Sequence, residues 1–293
     1  MKSIFYGSGV ALITPFRDGK IDYESLGELI DFQVHNGTSA IIILGTTGES
    51  ATINKTERQY IIKLARNLIP SHVKLIVGCG TNNLVTTLQN VLEAQALGAD
   101  GVLVVTPHYN KCTQEGLVLH YSILNNLSNI PIIVYNVPTR TGLNIEPKTM
   151  LRISRLKHIV GIKEANSDIG HIMHMFHALK NRVAIYSGND NLNYIFHKLG
   201  AQGCISVTAN IMPKELSQQF SDSGDYDLHD RLYRINELLF CEVNPIPIKY
   251  VLSEMNMCAN ELRLPLTPLA KKYQNKIKKE LIKLNLINKQ KNN

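Results

Sequence analysis

The sequence predicts an α/β fold in which parallel strands alternate with helices. Eight short apolar, β-branched runs recur at fairly even intervals along the 293-residue chain, and segments with helical patterning separate them. Near-continuous apolar strands are typical of a parallel sheet that is buried on both faces. Eight is also the number of strands that closes a (β/α)8 barrel, the TIM barrel. The predicted strands are residues 10–13, 40–44, 75–77, 101–105, 132–135, 159–163, 183–186 and 204–207.

Helical patterning fills the intervals between these runs and continues after the last of them. Residues 56–68, 83–97 and 114–127 are predicted helices, with Asn82 as the cap of the second. A barrel needs one helix after its eighth strand, whereas about 80 residues remain here. We therefore expect a barrel catalytic domain over residues 1–224 and a C-terminal helical region over 225–293. The helical segments predicted after the eighth strand are 213–220, 225–241, 247–255 and 268–286.

The positive charge of the chain is confined to its C-terminal end. The chain has 31 basic and 24 acidic residues, a net charge of +7, and eight lysines with one glutamate follow residue 270. The rest of the chain is therefore balanced. Because Tyr273, Ile277, Leu281 and Leu284 fall at helical spacing, we expect an amphipathic helix that packs by its apolar side, with lysines in solvent. This interpretation is favoured over binding to nucleic acid or to a membrane.

The apolar segments and the cysteines indicate a cytoplasmic protein rather than a secreted or membrane-spanning one. No run approaches the roughly 18 apolar residues that cross a bilayer, and the N-terminus lacks a long apolar segment with a small-residue cleavage site. The five cysteines are scattered, with no C-x-x-C pair. This pattern predicts reduced thiols and no disulfide framework or structural zinc site.

Lys163, at the end of the predicted strand 159–163, is the strongest candidate for a catalytic residue. Burial of an ammonium without a partner favours the neutral amine, which can attack a ketone and form a Schiff base. Alone, the residue would more simply be a lysine whose amine reaches solvent. Tyr135, however, ends the preceding strand 28 residues earlier, and Arg140 lies in the turn behind it. About 30 residues span one strand–helix–strand unit, so these side chains should meet at the same end of the sheet.

Other polar residues at strand ends are weaker candidates when taken one at a time. Thr46 and Thr47 lie in a Gly-containing turn, and the segment 187–190 reads as a strand end with a helix cap. Tyr109 alone reads as a packed aromatic residue. His171, His174 and His177 share one helix face, but no strand-end carboxylate is expected to join them, so we expect an exposed face rather than a metal site.

Together these segments resemble the dihydrodipicolinate (4-hydroxy-tetrahydrodipicolinate) synthase family of the pyruvate-dependent class I aldolase superfamily, which also contains N-acetylneuraminate lyase. The resemblance runs from Gly9 to Pro268. Its motifs are GTTGES at 45–50, TPHYN at 106–110, YNVPTRTG at 135–142, GIKEA at 161–165, ISVTAN at 205–210 and CEVNPIP at 241–247.

The resemblance implies a Schiff-base condensation of pyruvate with L-aspartate 4-semialdehyde in lysine and diaminopimelate biosynthesis, with no metal and no organic cofactor. Lys163 would carry the covalent pyruvate and Tyr135 would be the general acid/base. Thr46 would link Tyr135 to Tyr109, which in this family reaches the neighbouring subunit's site, as part of a homotetramer. The remaining implied contacts are Thr47 and the backbone of Ile205 for pyruvate and Arg140 for the semialdehyde carboxylate.

The resemblance also implies a position for feedback inhibition by lysine, at a cleft between subunits. An acid would be needed at Thr86 to bind the effector's ammonium, whereas this chain has cations at Lys55 and Arg58 that would repel it. We therefore expect no inhibition by lysine. The implied lining residues are Ser50, Ala51, Lys55, Arg58, Asn82, Thr86 and His108.

Two other functions are compatible with the sequence. A 2-keto-3-deoxy sugar acid aldolase or an N-acetylneuraminate lyase would use the same lysine and tyrosine, but Arg140 and the Thr46–Thr47 pair favour the synthase. A non-catalytic scaffold predicts loss of at least one catalytic position, and none is lost.

Overall fold

A computed structural model of the protein describes residues 1–221 and 224–288. The strands are β1 (Gly7–Ala11), β2 (Phe16–Arg17), β3 (Lys20–Ile21), β4 (Ala40–Ile43), β5 (Lys74–Gly78), β6 (Gly101–Val105), β7 (Ile132–Asn136), β8 (Ile159–Glu164), β9 (Ala184–Ser187) and β10 (Gly203–Ser206). Eight of them are parallel and close a barrel in the order β1-β10-β9-β8-β7-β6-β5-β4, and β2 and β3 form a separate antiparallel hairpin.

Helices surround the barrel and continue beyond its last strand. The predicted (β/α)8 barrel with a C-terminal helical extension is confirmed. The helices within the described residues are α1 (Tyr23–His35), α2 (Lys55–Leu68), α3 (Leu84–Ala96), α4 (Gln114–Leu127), α5 (Pro138–Thr141), α6 (Pro147–Ile153), α7 (Ile169–Leu179), α8 (Asn193–Lys198), α9 (Pro213–Gln219), α10 (Tyr226–Leu238), α11 (Ile246–Glu254) and α12 (Lys271–Lys283).

Local sequence explains most helix starts, with one correction to the predicted caps. The carboxamide of Asn83, not that of Asn82, accepts from the backbone N–H of Thr86 and caps α3. Asn54 and Glu57 form a reciprocal capping box at the start of α2. The division of the chain at residue 224 stays a prediction.

Side chains of alternate residues form two separate cores. The inward-facing positions fill the barrel, and Phe5 and Tyr186 stack inside it with ring centroids 4.3 Å apart. The outward-facing positions pack against the helices in a second and larger cluster. Because side chains alternate along a strand, Tyr135 and Lys163 face the barrel, while the residues after them face the helices.

The basic C-terminal helix packs by its apolar side. Ile277 and Leu281 of α12 are buried, and Tyr273 and Leu284 pack partly buried against the outer core. Lys271, Lys272, Lys276, Lys279 and Lys283 are exposed. Lys289 and Lys291 lie outside the described residues. Across 1–221 and 224–288, no helix combines the length and apolarity that crossing a membrane requires.

Candidate active site

A cavity of about 700 Å³ opens at the carboxyl ends of the barrel strands. Its wall combines strand ends and strand–helix loops of the barrel with a segment of the C-terminal region. A site at this end of a barrel is the usual position for catalysis. The residues that line it include Thr46, Thr47, Tyr135, Arg140, Lys163, Gly188, Asn189, Glu242 and Asn244.

Lys163 and Tyr135 form the floor of the cavity. They are register partners on β8 and β7, and the Nζ atom of Lys163 lies 4.4 Å from the centroid of the Tyr135 ring. Only 6% of Lys163 and 7% of Tyr135 is exposed. Neither the amine nor the phenol has a hydrogen bond to a described residue, so both polar groups are free to act on a bound molecule.

Gly188 makes room for the lysine side chain. A Cβ atom at this position would lie 3.0 Å from Cε of Lys163 and 2.9 Å from Cβ of Ala165. Such contacts are too close for ordinary packing. Gly188 therefore has a steric role at the site, in addition to the structural role predicted for the segment 187–190. The predicted strand end and cap are also present, since β9 ends at Ser187 and the side chain of Asn189 caps the short 3-10 helix Asp190–Leu192.

The loop that carries Thr46 and Thr47 is fastened to the C-terminal region. Glu49, in the left-handed backbone conformation, forms a buried ion pair with Lys249 of α11. Its other carboxylate oxygen accepts from the backbone N–H of Arg263 at 3.1 Å. Burial lowers the pKa of Lys249, and the Glu49 carboxylate opposes that shift. The pair therefore holds the threonine loop against elements that follow the barrel.

Asn244 connects two of the predicted substrate-binding residues. Its side-chain Nδ2 donates to the Thr47 hydroxyl at 3.0 Å, and its backbone carbonyl oxygen accepts from Nη2 of Arg140 at 2.9 Å. Arg140 lies in α5 and is exposed at the mouth of the cavity. Ile205 is 1% exposed on β10 and belongs to the barrel core, beneath the cavity.

No functional residue was predicted in the segment 240–244, although the CEVNPIP motif at 241–247 overlaps it. Asn244 and Glu242 are far from the barrel strands in sequence, so a search of strand ends does not reach them. Asn244 lies 197 residues from its partner Thr47. The available signal was the motif itself, with a polar residue directly before proline.

Tyr109 lies apart from the other predicted residues. It is 91% exposed, has φ of +69°, and does not line the cavity. The expectation of a packed aromatic is therefore wrong within this chain. Thr46 lines the same cavity as Tyr135, but no hydrogen bond among residues 1–221 and 224–288 joins its hydroxyl to either tyrosine.

The expected exposed histidine face is also wrong in one position. His174 and His177 are exposed, whereas the side chain of His171 is 9% exposed and its Nε2 atom lies 3.3 Å from the carboxylate of Glu164. A strand-end carboxylate thus does meet this face. Within the described ranges, no group of three or more His, Cys, Asp or Glu side chains has the arrangement of a metal site.

A second cavity of about 760 Å³ contains most positions of the predicted effector cleft, all but Asn82. Arg58, however, is buried and paired with Glu93 at 3.3 Å, and it donates to the carbonyl of Gly78 and to Sγ of Cys79. Burial raises the pKa of the Cys79 thiol to about 11, and Arg58 opposes the shift. Because Glu93 neutralises Arg58, Lys55 is the unpaired basic side chain among the described residues that line this cavity, rather than Lys55 and Arg58 together.

Comparison with known proteins identifies the family. The model of the dihydrodipicolinate synthetase family matches residues 4–284. This chain belongs to that family. The prediction of the family from the six motifs is thereby confirmed.

Individual relatives match over nearly the whole length. The 4-hydroxy-tetrahydrodipicolinate synthase of Alkaliphilus oremlandii is 42% identical over 97% of this chain and 100% of its own. The dihydrodipicolinate synthase structure from Thermotoga maritima has a TM-score of 0.94 and 41% identity, covering 97% of this chain and 100% of that one. The chloride-inhibited synthase from Acinetobacter baumannii, complexed with pyruvate, has a TM-score of 0.94 and 38% identity, covering 96% and 99%.

Proposed function

We propose that this chain condenses pyruvate with L-aspartate 4-semialdehyde to give 4-hydroxy-tetrahydrodipicolinate, as a step of lysine and diaminopimelate biosynthesis. The observation that carries the proposal is the buried amine of Lys163 against the ring of Tyr135, 4.4 Å from its centroid, at the floor of an open cavity. Family membership and the pyruvate bound by the Acinetobacter relative support the choice of substrates.

The reaction begins with attack of the Lys163 amine on the ketone carbon of pyruvate. Loss of one water gives an iminium ion, which withdraws electrons from the pyruvate methyl group. A proton leaves that methyl group and an enamine forms. The nucleophilic carbon of the enamine then attacks the aldehyde of the second substrate, whose oxygen takes up a proton. Finally the amino group of that substrate attacks the iminium carbon, closes the ring and releases the Lys163 amine.

Each proton transfer needs a group at the floor of the cavity. Tyr135 is proposed as general acid/base because it lies beside Lys163 and its hydroxyl has no hydrogen bond to any described residue. Thr46 of the same chain, together with Tyr109 of a neighbouring subunit, would complete a relay to solvent. This assignment makes at least a dimer necessary, and we propose the homotetramer implied by the family motifs. The reaction calls for no metal and no organic cofactor, and we place it in the cytoplasm.

Binding groups surround the reacting atoms. Thr47 and the backbone of Ile205 are proposed to hold pyruvate, and Arg140 the carboxylate of the semialdehyde. A guanidinium binds a carboxylate through two parallel hydrogen bonds. Asn244, which contacts both Thr47 and Arg140, sets the relative position of the two binding groups.

Borohydride reduction in the presence of pyruvate tests the proposal. We expect one pyruvate-derived adduct per chain by intact mass, located on Lys163 by peptide mapping, and none in the Lys163→Arg variant. Aspartate semialdehyde should then be consumed together with pyruvate. A folded chain that forms no adduct contradicts the proposal, and pyruvate release from N-acetylneuraminate would transfer the chain to the lyases.

A further inference from the structure

A buried polar network lies directly behind the Lys163–Tyr135 pair. Asn136 and Glu164 follow these two residues on β7 and β8 and are again register partners. Because side chains alternate along a strand, they face the helices rather than the cavity. Both are fully buried, in a layer whose other members are mainly apolar.

Within 1–221 and 224–288, every hydrogen-bond partner of the Glu164 side chain is a donor. The Nδ2 group of Asn136 lies 2.9 and 3.0 Å from the two carboxylate oxygens, and the backbone N–H of Asn166 donates to one of them at 2.8 Å. Nε2 of His171 lies 3.3 Å from the other. This is the arrangement that a carboxylate satisfies and a carboxamide does not, since a carboxamide would turn a donor toward donors.

The network also fixes the proton position on His171. Oδ1 of Asn144 accepts from the Nδ2 groups of Asn136, at 2.8 Å, and Asn166, at 3.2 Å. Its own Nδ2 therefore faces Nδ1 of His171, 3.3 Å away. With Nδ1 as an acceptor, the ring proton lies on Nε2 and points at Glu164.

Backbone hydrogen bonds connect the network to the strand ends. The N–H of Ala165 donates to the carbonyl of Asn136 at 2.9 Å, and the N–H of Gly188 donates to the carbonyl of Glu164 at 2.8 Å. The Glu164–Ala165 peptide, one residue beyond Lys163, is thus held to β7 on one side and to the segment after β9 on the other. A buried charged group of this kind stabilises a fold less than well-packed apolar side chains would. The network is therefore better explained by the geometry that it gives to the strand ends.

We infer that Glu164, held by Asn136 and His171, is a positioning residue that fixes Lys163 relative to Tyr135. The inference rests on the proposed function, in which these two residues carry the Schiff base and its protons. In this role Glu164 sets the separation and orientation of Lys163 and Tyr135, and it does not itself touch the substrate. Misplacement of reacting groups by small distances is enough to slow a reaction severalfold or more.

A double-mutant cycle separates positioning from a merely structural role. The rate of borohydride-trapped adduct formation is measured for Glu164→Gln, Tyr135→Phe and the double variant, each corrected for folded protein by size exclusion and circular dichroism. We expect Glu164→Gln to slow trapping about tenfold in the wild-type background but less than about twofold beside Tyr135→Phe. Equal effects in both backgrounds, or no effect, overturn the inference.

Variants of the helix provide a second measurement if Glu164→Gln does not fold. His171→Leu removes the donor to Glu164 and should lower kcat about threefold to tenfold with little change in the KM for pyruvate, whereas His171→Gln retains an N–H donor and should recover part of the loss. His174→Leu, one turn along the same helix and exposed, is the matched control and should leave kcat unchanged. Equal kcat in all three variants contradicts the inference. If the wild-type chain itself traps no pyruvate, the proposed function fails and the inference fails with it.

Discussion

Two parts of the proposed site differ in how completely a single chain builds them. Lys163 and Tyr135 are almost fully buried on neighbouring strands, and their side chains touch. Tyr109 projects from the loop after β6 with 91% of its surface exposed. Burial in the barrel thus fixes the pair proposed to carry the Schiff base, whereas the proposed third member of the relay would need contacts from outside the chain.

The loop of Tyr109 is nevertheless held in a particular shape. Its φ of +69° is uncommon for a residue other than glycine and persists where the surroundings require it. The backbone N–H of Thr106 donates to the carbonyl of Tyr135 at 3.2 Å, and Nδ2 of Asn110 donates to the carbonyl of Asn82 at 3.1 Å. The ends of the loop are therefore fixed to the barrel while the aromatic ring is presented outward, as an interface residue would be.

The largest effect is expected from removing a hydroxyl in the buried part. Tyr135→Phe retains the ring but removes the proposed acid/base group, and kcat should fall about 10²–10³-fold. Because that hydroxyl has no hydrogen bond to a described residue, the free energy of unfolding should change by less than about 1 kcal/mol. Steady-state kinetics and denaturant unfolding measure the two quantities.

Tyr121 offers the matched control for this variant. Its buried hydroxyl donates to the carbonyl of Val104 at 3.0 Å on the outer side of the barrel. Tyr121→Phe should therefore lower stability by about 1 kcal/mol while kcat is retained. More than a third of wild-type kcat in Tyr135→Phe would remove that tyrosine from the mechanism.

A smaller effect, restored by mixing subunits, is expected in the exposed part. Tyr109→Phe should lower kcat about tenfold or more, without loss of pyruvate trapping on Lys163. If Tyr109 serves the partner's site, mixed dimers of Tyr109→Phe and Lys163→Arg chains contain one intact site each. Random reassociation at equal concentrations should then restore about a quarter of wild-type activity, since half of the dimers are mixed and half of their sites are intact.

The mixing experiment has a clear negative result. Activity no higher than the average of the two parent variants means that each chain uses its own Tyr109 or none. Size exclusion before and after exchange is the control that the subunits have reassociated. A fully active monomer would contradict the assignment in the same way.

The barrel and its floor could be predicted from the sequence because a buried strand leaves a strong local signal. Eight apolar runs, and a lysine and a tyrosine at the ends of two of them, needed no long-range information. The β2–β3 hairpin escaped prediction, since strands of two residues have too few positions to show an alternation. The cap at Asn83 was missed by one residue, which is the usual uncertainty at helix ends.

What the sequence did not reveal are contacts between side chains distant along the chain. The pairing of Asn244 with Thr47 and of Lys249 with Glu49 connects the C-terminal region to a loop near the start of the barrel. Glu164 reads as part of a conventional GIKEA motif, and only the fold shows that His171 reaches it. Arg58 likewise reads as a free cation until Glu93 is found beside it.

The smallest expected effect concerns the second cavity. The prediction of insensitivity to lysine now depends on Thr86, which supplies no carboxylate, and on Lys55, which is exposed. Glu93 already pairs with Arg58 at 3.3 Å and accepts from Gln59 at 2.7 Å, so its charge is balanced within the chain and attracts an ammonium less than that of an unpaired carboxylate would. Lysine at about 1 mM, a typical metabolite concentration, should therefore change the initial rate by less than about a tenth.

The Thr86→Glu variant tests the reason for this insensitivity. It places an acid at the cavity wall and should create measurable inhibition by lysine. Half-inhibition of the wild-type chain below about 1 mM lysine would instead show that another group binds the ammonium.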